Sequence, residues 1–494
     1  MRKIFFALLV IIFAVNFLHS ELNFSGVDKR EFVNVNRIIE NRNYFVDKLQ
    51  VQALYNQFRM GLKFDYYKPH FDKFLLITDD MSDDTIELAL ESEEDEYYLD
   101  EYYLQYESDN WFVQAGTYEA VIGSGMVLHN FYDDDFELDS RLIGGYVNPI
   151  YDRWQIQLFG GLMKSDDSVD PDLKDEYDQV GSFDADFNIN DNLSIGGSYV
   201  LHKELVDAKE DEFNNRTIYA GKLDFLSSLF DLQAEYASSN DDEDTEGSAI
   251  YSNITSYIGK FTLKGTYKNY ENFDVRISDL PMVNHAGQVL EHSWEPGKDE
   301  EGLMGEIRFL PNYENEFVIN YAEGWNNNHK VRLSNFYTEF KHDFEKWSFK
   351  AELESLEQLN ENVNRWYKEI TPTLTFDFLI IDNPMLVKAE YQYKEIDKII
   401  GSQSHFEPRF QTDIAIGNYS LSVAVENQMG DSDEPEDGDD GEFWIGGELA
   451  TTIFNNTDVR LFYGKEKGGV VCRNGVCKNQ AEFDGVRLTV ITTF

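Results

Sequence analysis

The sequence predicts an all-β chain, a transmembrane antiparallel up-and-down β-barrel of about 24 strands. Three observations lead there. About two dozen segments set Phe, Tyr, Leu, Val or Ile on one face against Lys, Glu, Asp, Gln or Thr on the other, as in a strand with lipid outside and water inside. Short links and long acidic links join these segments by turns. An export-type start precedes them, and the chain ends in Phe494.

The start is Met1-Arg2-Lys3 followed by an apolar run from Ile4 to Leu18, the layout of a secretory signal peptide. Cleavage near Ser20–Glu21 would leave 1–20 as the signal and 21–494 as one barrel domain. An uncleaved membrane helix is the alternative, but the run is short for a span and no second one follows. Only a closed barrel would then satisfy the backbone in a membrane. No Pro/Ser-rich joint or change of pattern divides the rest. A formal charge of −50 excludes nucleic acid as a partner, because a phosphate-binding face needs a basic patch. Aromatic residues at 15% are too many for an acidic disordered chain and suit the girdles of a barrel.

The alternation is clearest in the second half. Val387, Ala389, Tyr391 and Tyr393 alternate with Lys388, Glu390, Gln392 and Lys394; the last segment sets Val486, Leu488, Val490, Thr492 and Phe494 against Arg487, Thr489, Ile491 and Thr493. Tight links are expected around 56–57, 108–110, 190–191, 227–228, 259–260, 311–312, 342–343, 381–383, 417–418 and 455–456. Long links are expected at 69–95, 119–135, 164–177, 204–212, 239–247, 271–300, 323–330, 357–365, 396–403, 428–441 and 465–483. Because short and long alternate, all long links fall at one end: short periplasmic turns, long outer loops, both termini in the periplasm. The count is about 24 strands, with 22 as the alternative because 22–57 is weakly patterned. A soluble sandwich or propeller would use shorter strands and need not sort its links by length.

Acidic residues crowd the long links. Asp431, Asp433, Asp437, Asp439 and Asp440 form one such candidate cation-binding loop, with oxygen ligands suited to Ca²⁺ or Mg²⁺. Its spacing is not that of an EF-hand, so no cofactor is implied beyond a weakly held loop ion. Cys472 and Cys477, the only cysteines, flank Asn474-Gly475 in an exported loop and read as a local structural disulfide.

The stretch Gly123-Ser124-Gly125 signals a sharp bend or close backbone approach. It is not a nucleophile elbow, since Ile122 and Met126 occupy the glycine positions around Ser124, and its spacing to His129 is unspecific. The expectation is that 119–135 folds inward and narrows the lumen, with Gly123, Ser124, Gly125, Tyr132, Asp133, Asp139 and Arg141 at the constriction. Residues 271–300, with His285 and His292 as plain loop residues, are the second inward candidate.

The Gly-Ser-Gly…Tyr-x-Asp…Asp stretch (123–139) and the ending Gly464-Lys-Glu-Lys-Gly-Gly…Cys472…Cys477…Thr-Thr-Phe494 resemble an uncharacterised outer-membrane β-barrel family of Gram-negative bacteria. The resemblance implies the barrel and its membrane, and carries over no activity or binding residue.

The functional expectation is a non-enzymatic, porin-like channel for small hydrophilic solutes in the cell outer membrane, gated by inward loops. The alternative is a structural or interaction barrel displaying acidic, cation-binding loops. Expected partners are outer-membrane lipid and lipopolysaccharide, and the barrel-assembly machinery during insertion. A plugged receptor is disfavoured because strands begin almost directly after the signal.

Overall fold

The computed structural model describes residues 22–494 apart from 37–40, 69–95, 134–137, 165–176, 208–211, 243–244, 274–275, 289–298, 363–364, 399–400, 431–441, 474–475 and 481. The first eight wall strands are β1 Asn23–Asn36, β2 Asn41–Tyr55, β3 Phe58–Lys68, β4 Glu96–Ser108, β5 Trp111–Tyr118, β6 Leu142–Pro149, β7 Trp154–Lys164 and β8 Tyr177–Asn190. The next eight are β9 Leu193–Asp207, β10 Glu212–Leu226, β11 Phe230–Asp241, β12 Glu246–Ile258, β13 Phe261–Glu271, β14 Asp299–Asn312, β15 Asn315–Trp325 and β16 Val331–Asp343. The last eight are β17 Trp347–Asn360, β18 Arg365–Ile380, β19 Asn383–Lys398, β20 Gly401–Ile416, β21 Tyr419–Asn427, β22 Phe443–Ile453, β23 Thr457–Glu466 and β24 Phe483–Thr493. Each pairs antiparallel with its sequence neighbour, and the sheet closes where β1 meets β24, from Val27↔Thr493 to Val35↔Gly485. The expected 24-stranded up-and-down barrel is therefore the fold.

Closure explains the alternation. Leu158, Leu162, Tyr199, Leu201, Ile250 and Ile254 are exposed on the outer face, while their neighbours Phe159, Val200 and Ala249 are buried on the inner one. Near the short-turn end the outward rings form a continuous belt. Phe261–Phe309, Phe309–Phe317, Phe317–Phe340, Phe340–Phe349 and Phe349–Phe376 lie 4.6, 6.1, 4.7, 6.3 and 4.9 Å apart. Cross-strand aromatic pairs of this kind add stability to a sheet, and a ring of them marks a membrane interface. Both described chain ends lie at this end, with Phe494 exchanging backbone hydrogen bonds with Gly26.

Two details of the expected connections are corrected. A short turn at Ile150–Arg153 joins β6 to β7, and the weakly patterned stretch 22–57 holds two complete strands, β1 and β2, paired along their full lengths. Five expected long links shrink to 208–211, 242–245, 326–330, 361–364 and 399–400, because the ladders run on past the lipid. Above the membrane both faces meet water, so the apolar alternation fades while backbone pairing continues. The sequence pattern therefore marks where lipid ends, not where the strand ends.

The outward face makes a direct prediction. Leu158→Arg, on the lipid face of β7, should cost about 2–4 kcal/mol in unfolding from lipid vesicles. Ser194→Arg, on the lumen face opposite Asp224, should be nearly neutral.

Candidate functional site

Between β5 and β6 the chain does not leave the barrel but turns into it. Ala120–Ile122 and Leu128–Asn130 pair as a small hairpin. Its tip is Gly123-Ser124-Gly125, with φ of 58° at Gly123 and 91° at Gly125, values that glycine adopts without strain. A side chain at 123 would collide with Glu235, because an added Cβ would lie 2.6 Å from its carboxylate oxygens. The expectation of a bend with close backbone approach is met by this geometry.

Glu235 faces the lumen from β11, five residues above the start of that strand. Its Oε2 accepts hydrogen bonds from the Ser124 backbone N–H at 2.9 Å and from the Ser124 hydroxyl at 2.7 Å, so the tip reaches deep into the barrel. His129 instead pairs through Nδ1 with Asp279 at 2.9 Å, so Ser124 and His129 serve different partners.

The hairpin packs on an apolar sector of the inner wall. Ile122, Met126, Val127 and Leu128 are completely buried with Leu142, Phe159, Met163, Val180, Val200, Ile218, Ala237, Ala249 and Tyr270. Over β7 to β13 the inner wall is thus apolar rather than wet, and offers aliphatic side chains to the hairpin. Each of the larger ones contributes roughly 1.5–3 kcal/mol by leaving water.

A second segment, 272–288, lies alongside. Phe273 and Ile277 join the same cluster. The two segments bond to each other: His129 N–H donates to the Ile277 carbonyl at 2.8 Å, and Asp279 N–H to the Gly125 carbonyl at 3.1 Å. Arg276 reaches Asp178 on β8 at 3.6 Å, and Asp178 also holds His202 at 2.9 Å. Farther along, the His285 and Ala286 N–H groups donate to the Asn335 Oδ1, and the His285 ring stacks on Tyr337 with centroids 3.5 Å apart. His292 lies outside the described residues.

The other expected constriction residues gather elsewhere. Tyr132-Asp133 pairs with Leu138-Asp139 in a short ladder. Arg141 is buried and donates to Asp139 at 2.7 and 2.9 Å, to Asp100 at 3.1 Å and to Glu101 at 3.2 Å. Burial works against its charge, but the Asp139 and Asp100 carboxylates hold the guanidinium above its ordinary range. The Tyr132 ring lies 4.0 Å from the Lys63 ammonium and 4.2 Å from the Arg141 guanidinium. Lys63 completes the knot with Asp100 at 2.7 Å. So the tip rests on β11, while Tyr132, Asp139 and Arg141 are tied to β3 and β4.

Several partners were not singled out from sequence. Asp100 and Glu101 both reach Arg141 because the β3–β4 register shifts between Lys63 and Phe64, a bulge that re-aims the chain. The signal was present: the outward series runs 97, 99, then 102, 104, 106, a three-residue step in a period-two strand.

Cys472 and Cys477 stand directly opposite each other in the antiparallel pair Gly469–Arg473/Val476–Gln480. Directly opposed residues of an antiparallel pair have Cα atoms about 4.5–5.5 Å apart, within disulfide range. A disulfide here is our proposal: alkylation of the unfolded protein should label neither cysteine before reduction and both after. The expected cation loop, Asp431, Asp433, Asp437, Asp439 and Asp440, lies outside the described residues. Among the described residues no group of three or more His, Cys, Asp or Glu is placed to hold a metal.

A closed barrel, apolar outside and too wide for its own wall side chains to fill, is a protein of the cell outer membrane. The chain belongs to the Family of unknown function (DUF6029), which it matches over residues 18–358. No curated protein matches it. Similar solved structures include the copper transporter OprC, at 8% identity over 96% of this chain and 81% of that one, TM-score 0.49. The P pilus usher (PapC) translocation pore is 9% identical over 96% and 99%, TM-score 0.45. The outer membrane protein opdK from Pseudomonas aeruginosa is 13% identical over 64% and 93%, TM-score 0.36.

The docking of the hairpin is testable in the folded barrel. Leu128→Asp would bury a carboxylate among aliphatic groups, a cost of several kcal/mol. Proteolysis within 119–141 should then accelerate at least tenfold in vesicles while the barrel stays heat-modifiable on gels. Val121→Asp, on the exposed side of the same hairpin, should leave the rate unchanged.

Proposed function

We propose that this barrel is a channel for small hydrophilic solutes, narrowed from within by 119–141 and 272–288. The observation that carries the reading is the division of the inner wall into two sectors. The apolar sector, β7 to β13, is covered by the two segments. Farther round, Ala286 packs on the small cluster of Val331, Leu333 and Leu356 on β16 and β17.

The remaining wall suits hydrated solutes. Its inward side chains include Glu339, Glu352, Glu369 and Glu390, partly neutralised by Lys350 on Glu352 at 2.9 Å and Lys388 on Glu390 at 2.8 Å. The Tyr337 hydroxyl donates to Glu339 and Glu352 at 2.7 and 3.0 Å, and Gln392 donates to Glu369 at 2.6 Å. Such a sector keeps water, favours cations over anions, and offers donors and acceptors to polar solutes. A ring of 24 strands at ~4.8 Å spacing and ~40° tilt is roughly 45–50 Å across, far more than two segments fill from side to side. The roles of Gly123, Ser124, Gly125, Tyr132, Asp133, Asp139 and Arg141 in narrowing the passage belong to this proposal.

Planar-bilayer recordings in KCl test it. The wild type should give discrete steps with potassium permeating better than chloride. Removing 120–140, or releasing the hairpin by Leu128→Asp, should raise unit conductance severalfold. Absence of steps in the wild type and in both variants would overturn the channel and leave a barrel that anchors its outer segments.

A further inference from the structure

Among the described residues, the lipid-facing wall carries charge within its apolar belt at one place. Arg30 on β1 and Asp47 on β2 stand directly opposite each other, and Asp28 lies two residues before Arg30 on the same face. That face is the outer one. Phe32, the next residue in the series, is exposed and pairs with Leu488, whereas Val33 is buried inside with Phe462 and Phe483. The Arg30 guanidinium contacts Asp28 at 2.7 Å and reaches Asp47 at 3.6 Å. One oxygen of Asp28 and one of Asp47 are buried without a hydrogen-bond partner.

The depth of this trio sets it apart. Phe32 and Phe45, their rings tilted against each other with centroids 4.7 Å apart, lie one outward step above Arg30 and Asp47. Leu49 and the exposed Phe24 lie on the same outward face below them. The charges therefore sit inside the apolar belt. On other strands the outward row turns charged only above its last exposed aromatic or aliphatic residue, as at Lys203 above Leu201, Glu301 above Leu303 and Glu323 above Tyr321. Charge in contact with lipid is costly, and charged side chains at that depth ordinarily face protein or water.

We propose that the β1–β2 face is an interface with a second copy of this chain, formed by side-by-side association in the membrane about a two-fold axis along the membrane normal. Such an axis brings the same patch of each copy together at equal depth. The patch is suited to itself because it holds both signs: Arg30 of each copy, half exposed, meets the Asp28 and Asp47 carboxylates of the other. Phe24, Phe32 and Phe45 form an apolar rim around the charges, as the edge of a lipid-embedded contact requires.

The test uses the full chain in outer membranes, with Cys472 and Cys477 changed to Ser and Leu49→Cys as a reporter beside the patch. A homobifunctional maleimide should give a band of twice the monomer mass, and mass measurement in mild detergent should give a dimer. The variant Asp28→Leu/Arg30→Leu/Asp47→Leu should remain heat-modifiable, resist unfolding at least as well as the parent, and lose the dimer at least tenfold. Arg30→Asp and Asp47→Arg chains, each weakened alone, should recover a mixed dimer when co-expressed. A wild type that stays monomeric in both measurements overturns the proposal. So does a dimer that the triple leucine variant keeps, or a cross-link only to a partner of different mass.

Discussion

Everything in this molecule depends on one requirement: in lipid, every backbone N–H and C=O must find a partner within the protein. A sheet meets it only by having no edge, so β1 must reach β24 across nearly the full chain. The seam from Val27↔Thr493 to Val35↔Gly485 is that meeting. The alternation of side chains follows, because a closed sheet separates lipid from lumen at every residue step. Aromatic belts follow as well, since rings such as Phe309 and Phe317 tolerate the boundary between hydrocarbon and water.

Closure creates a second problem, the size of the hole. A ring this large cannot be filled by wall side chains, unlike an eight-stranded barrel. Part of the answer is an inner wall that abandons polarity where two segments lie against it. Val200, Ile218, Ala237 and Ala249 would be misplaced in a water-filled lumen, yet they are buried beneath Ile122, Met126 and Leu128. Polar anchors fix the segments at their extremities: Glu235 at the hairpin tip, the Arg141–Asp100–Glu101 knot, and Asp178 with Arg276. Apolar packing supplies most of the stabilisation, and these bonds set the register, because each demands a particular donor at a particular place.

The fold was legible in the sequence because lipid imposes a strict period of two. Strand number and the end bearing the short turns could be read from it, and so could the bend at Gly123-Ser124-Gly125. What escaped reading was whatever lipid does not impose. Strand tops above the membrane lose the alternation, so ladders such as Ser239↔Gly247 looked like loops. The apolar inner sector hid in runs such as Tyr199-Val200-Leu201, where three consecutive apolar residues mark a strand buried on both faces. The partners of Tyr132 and Arg141 come from strands distant in sequence, and only the bulge at Asp100 left a local trace. Asp28, Arg30 and Asp47 fell in the weakly patterned first strands, and the weakness of that pattern is itself the mark of charge on the lipid face.

The seam can be measured directly. In a chain whose native cysteines are replaced by Ser, Asn34→Cys and Val486→Cys stand opposite each other on β1 and β24. Mild oxidation of the folded protein in membranes should join them into one internal cross-link, detected as a cyclic chain after unfolding, and neither single variant should form it. A folded, heat-modifiable double variant whose two thiols stay separate, each open to its own reagent, would contradict the closed barrel.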